Sequence, residues 1–225
     1  PALGAAGHDV TALVRDAAGY DAPPDVRVVE GDLLDPRSFE AALDVDAAYY
    51  LVHSMRAGGD FEARDRRAAR NFVDAASTAG VERVVYPGGL GEDRDNLSPH
   101  LRSRREVERV LASGSYALTT LRAGIIIGSG SASFELVRQL ARRLPVMVTP
   151  RWVETDCQPV AVDDVVTYLV GVLDRPETAG GTYDVGGPEV MSYAEMLRRT
   201  GRQQGREPRI VPIPVLTPRL SAAWL

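Results

Sequence analysis

The chain predicts an α/β fold built on a parallel sheet, and three observations carry that reading. Short apolar strands alternate with helices from one end to the other. Several strands are near-continuous apolar runs, as strands covered on both faces by crossover helices must be. Gly, Asp, His or Arg follows the strands, at the edge where such a sheet binds its ligands.

The elements follow in order. Residues Ala5 to Asp16 (AAGHDVTALVRD) read as a last helical turn, a Gly stop, a strand at Val10 to Val14, and Arg15 at its end. That is the second half of a nucleotide-binding βαβ unit. A strand and a Gly-rich phosphate loop are expected ahead of it, yet the sequence starts at Pro1, so it reads as truncated there. Val26 to Glu30 is the next strand, ended by Gly31-Asp32. Asp35 is placed as the N-cap and Pro36 as N1 of a short helix. Ala47 to Val52 (AAYYLV) is a buried strand.

Phe61, Ala68, Ala69, Phe72, Val73 and Ala76 share one stripe of a helix from about Phe61 to Ala79, and Gly80 stands where a helix-ending Gly belongs. Glu82 to Tyr86 is a strand, and Pro87-Gly88-Gly89 is expected to open a loop. A charged helix spans His100 to Ser113, and Ala117 to Leu121 is a strand. Ile125 to Gly130 leads into a looser region, and the helix around Phe134 to Arg143 with the stretch Pro145 to Val160 reads as an inserted lobe. Asp163 to Leu173 is a helix and Thr182 to Val185 a strand. Ser192 caps a helix to Gln204, with Glu195 completing a capping box. Ile210 to Ile213 is a last strand, with Pro212 marking an edge, and the terminal SAAWL reads as a helix start.

The pattern predicts a Rossmann-type doubly wound sheet lacking its first strand, with a small C-terminal substrate lobe. Residues 1–124 form the dinucleotide-binding core. Residues 125–225 form the lobe, with 158–185 returning to the core. In the usual order 3-2-1-4-5-6 the first strand is central. Without it, the strands at Val10 and Ala47 flank a gap or close over it. Buried edge groups left unpaired cost about 1–3 kcal/mol each, so weak dinucleotide binding and marginal stability are expected of this length of chain.

Composition narrows the partners. The net charge of −5 argues against nucleic acid, and no apolar run approaches a membrane span. A single cysteine, Cys157, excludes an intrachain disulfide and suits a reducing, cytoplasmic setting. All 26 basic residues are Arg, which removes Schiff-base and P-loop lysines from consideration. His8, His53 and His100 lie on separate segments, so no metal-ligand spacing is present. Asp163-Asp164 reads as a helix start, Gly128 to Ser131 as a hinge, and Trp152 as a packed or substrate-facing residue.

The strand ends carry the chemistry. An acidic residue at the position of Arg15 would bind a ribose 2′-hydroxyl; an Arg instead suits a 2′-phosphate. NADP is therefore expected ahead of NAD. Asp32 can accept a hydrogen bond from the adenine amino group, and Leu33 adjoins it. His53, Gly88, Gly89, Ala123, Gly124 and Ile125 fall at later strand ends, spaced for one ligand lying along the sheet edge.

The segments Asn71 to Gly91 (NFVDAASTAGVERVVYPGGLG), Ser98 to Glu106 (SPHLRSRRE), Leu121 to Gly128 (LRAGIIIG), Gln158 to Val165 (QPVAVDDV) and Tyr183 to Glu189 (YDVGGPE) resemble, in order, landmarks of the extended and atypical short-chain dehydrogenases/reductases. The resemblance covers nearly the whole chain and is nearest to the NmrA-like NAD(P)-binding branch, which includes epimerase-like members. It implies an NAD(P)-binding oxidoreductase-like protein acting on a small organic substrate. The departures are specific. The family's catalytic Tyr falls on His100 and its Lys on Arg104, and its Ser falls in Pro87-Gly88-Gly89, which has no hydroxyl. His100 is the candidate acid/base. Arg104 is the candidate for holding the nicotinamide ribose. The absent Ser-Tyr-Lys set leaves open a non-catalytic NADP(H)-binding sensor or assembly factor, and a nucleotide-sugar epimerase as a further alternative.

Overall fold

The computed structural model describes residues 1–53, 60–90 and 98–213. The chain divides into two compact units, Pro1–Ala123 with Val166–Asp184, and Gly124–Val165 with Val185–Leu225. Each is described by itself.

The first unit opens with α1 (Ala2–Ala5), β1 (Val10–Val14) and β2 (Val26–Glu30). β1 and β2 are parallel, Val10 opposite Val26 through Val14 opposite Glu30. Pro36–Ser38 and Glu40–Ala42 form short 3₁₀ turns, followed by β3 (Ala47–Tyr49) and α2 (Phe61–Ala79). Then come β4 (Arg83–Gly89), α3 (Pro99–Leu111) and β5 (Ala117–Ala123). β3, β4 and β5 are parallel in that order, and a later strand joins the far side of β5.

Among the described residues no strand lies between β1 and β3: β1 pairs with β2 alone, and β3 with β4 alone. The sheet is thus split where the sequence predicted a missing strand. Both pieces pack on one core, Leu13 and Ala48 lying against buried Phe39, Tyr50, Phe72, Val84, Tyr86 and Leu111. The expected penalty for sealed edge groups takes a milder form. Every residue of β1 and of β3 is only half-buried, so their free edges are not shut away from water.

The local rules explain most boundaries. The apolar stripe of α2 buries Ala68, Ala69, Phe72, Val73 and Ala76, and Gly80 ends the helix at a left-handed φ of 77°. Ser98 caps α3, its side chain accepting from the Leu101 amide, and Pro99 sits in the first turn. Two expectations are corrected. Asp35 makes no side-chain cap; its backbone carbonyl accepts from the Ser38 amide instead. Pro87-Gly88-Gly89 does not open a loop. These residues complete β4, opposite Leu121, Arg122 and Ala123 of β5. Pro87 is tolerated in a central strand because β3 has already ended, its last partnered residue being Tyr49 opposite Val85.

The second unit begins with β6 (Ile126–Ile127), α4 (Ala132–Arg143) and β7 (Val146–Pro150). A 3₁₀ turn at Arg151–Glu154 leads to β8 (Asp156–Cys157) and β9 (Val160–Ala161). α5 (Val162–Gly171) carries the chain back into the first unit, where β10 (Thr182–Val185) flanks β5. There the Tyr49 hydroxyl donates to the Leu169 carbonyl at 2.6 Å, and Arg83 donates to the carbonyls of Leu173 and Arg175. The chain finishes with β11 (Met191–Ser192), α6 (Tyr193–Gln203) and β12 (Arg209–Ile213). In the second unit β6 pairs with β9, β8 with β11 and β7 with β12. Its core is Met147, Val153, Ala194, Leu197 and Ile210. The capping box at α6 is half-formed: Ser192 accepts from the Glu195 amide, while the Glu195 carboxylate is drawn to Arg199 and Arg202. The helix start read at SAAWL lies outside the described residues.

Candidate functional site

Parallel pairing brings the strand ends to one edge in each sheet of the first unit. Arg15 follows β1 directly and is exposed, with no hydrogen bond or ion pair among the described residues. Its neighbour Asp16 is occupied, accepting from the amides of Ala18 and Gly19 and so shaping the turn. Asp32 follows β2 and is half-buried. Its amide donates to Ser38 Oγ at 2.9 Å, and its Oδ1 accepts from the Leu34 amide at 2.9 Å. Leu33 is buried in the core, and its carbonyl accepts from the Asn71 side chain of α2 at 2.7 Å. The Asp32-Leu33 backbone is therefore held from both sides.

Beyond β3 the chain leaves Leu51, Val52 and His53 exposed, and Leu90 is exposed just past β4. Gly88 is buried: a Cβ there would lie 3.2 Å from Thr120 Cγ2 and 3.4 Å from Arg122 Cγ. Gly89 comes equally close to Leu101 of α3, at 3.1 Å. The two glycines thus let α3 and β5 crowd the end of β4. Ala123 ends β5, and its carbonyl accepts from the Leu90 amide at 2.9 Å. Gly124 and Ile125 follow in the second unit, where the Ile125 carbonyl accepts from the Val160 amide.

His100 lies in the first turn of α3 and Arg104 one turn further on, both half-buried. Burial lowers the proton affinity of His100 below the usual 6.5, helped by the positive charges of Arg104 and His53 and opposed by Asp65. Arg104 stands over the ring of Tyr86, its guanidinium carbon 6.0 Å from the ring centroid. The Tyr86 hydroxyl donates to the Arg104 backbone carbonyl at 3.2 Å.

Three participants escaped sequence reasoning. Tyr86, Asp65 and Ser103 are all buried beside the two α3 residues. Ser103 Oγ donates to Asp65 Oδ2 at 3.1 Å, tying α3 to α2. Asp65 did leave a signal: it interrupts the buried stripe of α2 with a carboxylate. Tyr86 left none, being one more aromatic in an apolar strand.

The donor set fits an anionic dinucleotide. A free guanidinium at Arg15, a carboxylate at Asp32, apolar surface at Leu51, Val52 and Leu90, and donors at His53 and Arg104 suit, respectively, a phosphate, an amino group, a flat ring and ribose hydroxyls. Fold and strand-end chemistry define the class: a Rossmann-type dinucleotide-binding protein.

Comparison with known proteins agrees. Residues 1–141 match a family described as NAD(P)H-binding. The chain is 31% identical to the 3-diazoavenalumate denitrifying reductase of a Streptomyces species, over 97% of this chain and 81% of that protein. It is 26% identical to the NAD(P)H azoreductase of Xenophilus azovorans, over 90% of this chain and 68% of that one. Among solved structures, a short-chain dehydrogenase/reductase superfamily protein from Agrobacterium tumefaciens with bound NAD superimposes with a TM-score of 0.75 at 20% identity, covering 95% of this chain and 80% of that one. The chain belongs to the NAD(P)H-binding family. Its fold is that of the short-chain dehydrogenases/reductases, and its relatives include reductases. No helix among the described residues is long and apolar enough to cross a membrane.

Proposed function

We propose that this protein is an NADP(H)-dependent reductase of a small organic acceptor, working in a reducing, cytoplasmic setting. The observation that carries the reading is the row of strand ends in the first unit, headed by the unpartnered Arg15. The first unit holds the cofactor. Arg15 takes the 2′-phosphate, Asp32 and Leu33 the adenine, and His53, Gly88 and Gly89 line the middle of the ligand. Arg104 holds the nicotinamide ribose, with Ala123 at the nicotinamide end.

When bound, the cofactor supplies hydride. The protein's own work is to orient it, to present the exposed apolar surface of Leu51, Val52 and Leu90 to a flat ring, and to deliver a proton from His100 Nδ1 or Nε2. The reductase relatives extend the substrate panel from carbonyls to azo and diazo compounds.

NADPH and NADH consumption, followed at 340 nm across such a panel, tests the proposal. Arg15→Ala is expected to weaken NADPH about 10-fold or more, the worth of a charge-assisted hydrogen bond, and to leave NADH unchanged. His100→Ala is expected to slow turnover by about 100-fold or more. Undiminished NADPH affinity in Arg15→Ala, or an equal loss for NADPH and NADH, would refute the 2′-phosphate role.

A second reading, a non-catalytic NADP(H) sensor, is favoured by the lowered proton affinity of His100 and by the absence of a hydroxyl in Pro87-Gly88-Gly89. NADPH binding without oxidation of any acceptor, unaffected by His100→Ala, would select it.

A further inference from the structure

We infer that Tyr86 is a positioning residue for Arg104, its ring and hydroxyl fixing the place of the guanidinium so that donors not engaged by Tyr86 reach the cofactor ribose. The inference rests on the proposed ribose role of Arg104.

Tyr86 is rigid. It is 1% exposed, and its ring packs edge-on against Tyr50 at 6.1 Å. Tyr50 in turn packs against Phe72 at 5.1 Å. From this platform Tyr86 grips Arg104 twice, with its hydroxyl on the backbone carbonyl and its ring face beneath the guanidinium. The separation of 6.0 Å is at the outer limit of a cation–π contact.

The competing partner of Arg104 is removed. Glu108 lies four residues on, where an acid ordinarily pairs with a helical Arg. Here it is claimed by Arg122 at 2.6 Å and Arg105 at 3.6 Å. Arg104 has no carboxylate partner among the described residues.

The arrangement suits an Arg: a planar guanidinium carries five N–H donors and can contact a ring and still present donors elsewhere. An ammonium is a point charge and would spend itself on the ring or on the ribose. Tyr86 touches neither substrate nor cofactor; it acts through Arg104.

The test is a double-mutant cycle on the full chain, read as the NADPH dissociation constant by intrinsic-fluorescence titration. Tyr86→Leu is expected to weaken NADPH by about 3- to 30-fold. In an Arg104→Ala background the same change is expected to have no further effect. Tyr86→Phe, which keeps the ring, should lose less than Tyr86→Leu, and it keeps the cycle readable where the Leu variant fails to fold. Arg104→Lys should lose nearly as much as Arg104→Ala.

A cofactor-free readout accompanies these. The Arg104 side-chain Nε–H proton in ¹⁵N NMR should carry a ring-current shift in wild type and Tyr86→Phe, and lose it in Tyr86→Leu. A Tyr86→Leu effect equal in both Arg104 backgrounds, or an unshifted wild-type proton, overturns the inference while leaving NADPH binding intact. A wild type that binds no NADPH overturns the cofactor reading, and this inference with it.

Discussion

Tyr50 and Asp65 each place an unpartnered polar atom in the core of the first unit, and the consequences can be measured. The Tyr50 ring is almost fully enclosed, and its hydroxyl has no hydrogen-bond partner among the described residues. Burial and the nearby Asp65 carboxylate push its ionisation far above the ordinary 10.0. A buried hydroxyl without a bond costs more than it returns. Tyr50→Phe is therefore expected to leave stability unchanged or to raise it by up to about 1 kcal/mol in urea denaturation. A loss of more than that would mean the hydroxyl is bonded in solution.

His100 supports a pH prediction at the same scale. Its proton affinity is lowered, so the protonated form is populated only below a midpoint under 6.5. A rate that draws its proton from His100 is full below that midpoint and falls as pH rises through it. Arg104→Gln removes one of the lowering charges and is expected to move the kcat midpoint upward. A profile flat from pH 5 to 8 would exclude His100 as the donor.

At the scale of elements, caps and registers decide where helices start and how far strands run. Ser192 accepts from the Glu195 amide at 3.1 Å and begins α6 without help from the Glu195 carboxylate. With half the box missing, the hydroxyl carries the cap alone. Ser192→Ala is expected to cost about 1 kcal/mol, seen as earlier thermal loss of far-UV signal. Helix and strand assignments of this kind were legible because they rest on short-range patterns. The stripe of α2, Gly80 at its end and Ser98 before α3 are local features.

The extension of β4 through Pro87, Gly88 and Gly89 was not legible. A Pro followed by two Gly is a loop signal by any local rule. What overrides it is the partner strand, since β5 continues to Ala123 and supplies the ladder on the side where Pro87 needs no donor. The capping box is only half-formed for a similar reason: three arginines within reach of one glutamate cannot be weighed from spacing alone.

For the whole molecule, the split sheet sets the order of stability within the first unit. β4 has strands on both sides, whereas β1 and β2 form a two-stranded pair. Isolated two-stranded pairs are marginal unless packing supports them. Native-state hydrogen exchange is therefore expected to be slowest at Val84, Val85, Thr119 and Thr120, and faster along β1 and β2. Uniform protection across both sheets would show that the gap beside β1 carries no energetic consequence.

The sequence by itself determined the α/β class, the order of the elements and the residues that stand at strand ends, because strand and helix periodicity and Gly, Pro and Ser signals act over a few residues. It also named Arg15 and Asp32, whose distance from a strand end is a local count, and His100 and Arg104, through the family resemblance that places a Tyr and a Lys at those positions. Only the tertiary structure decided which of these are free and which are held. Arg15 has no partner among the described residues, while Arg104 rests on Tyr86, eighteen positions away in the chain. That difference comes from packing between β4 and α3, a contact between segments distant in sequence, and no local pattern encodes it.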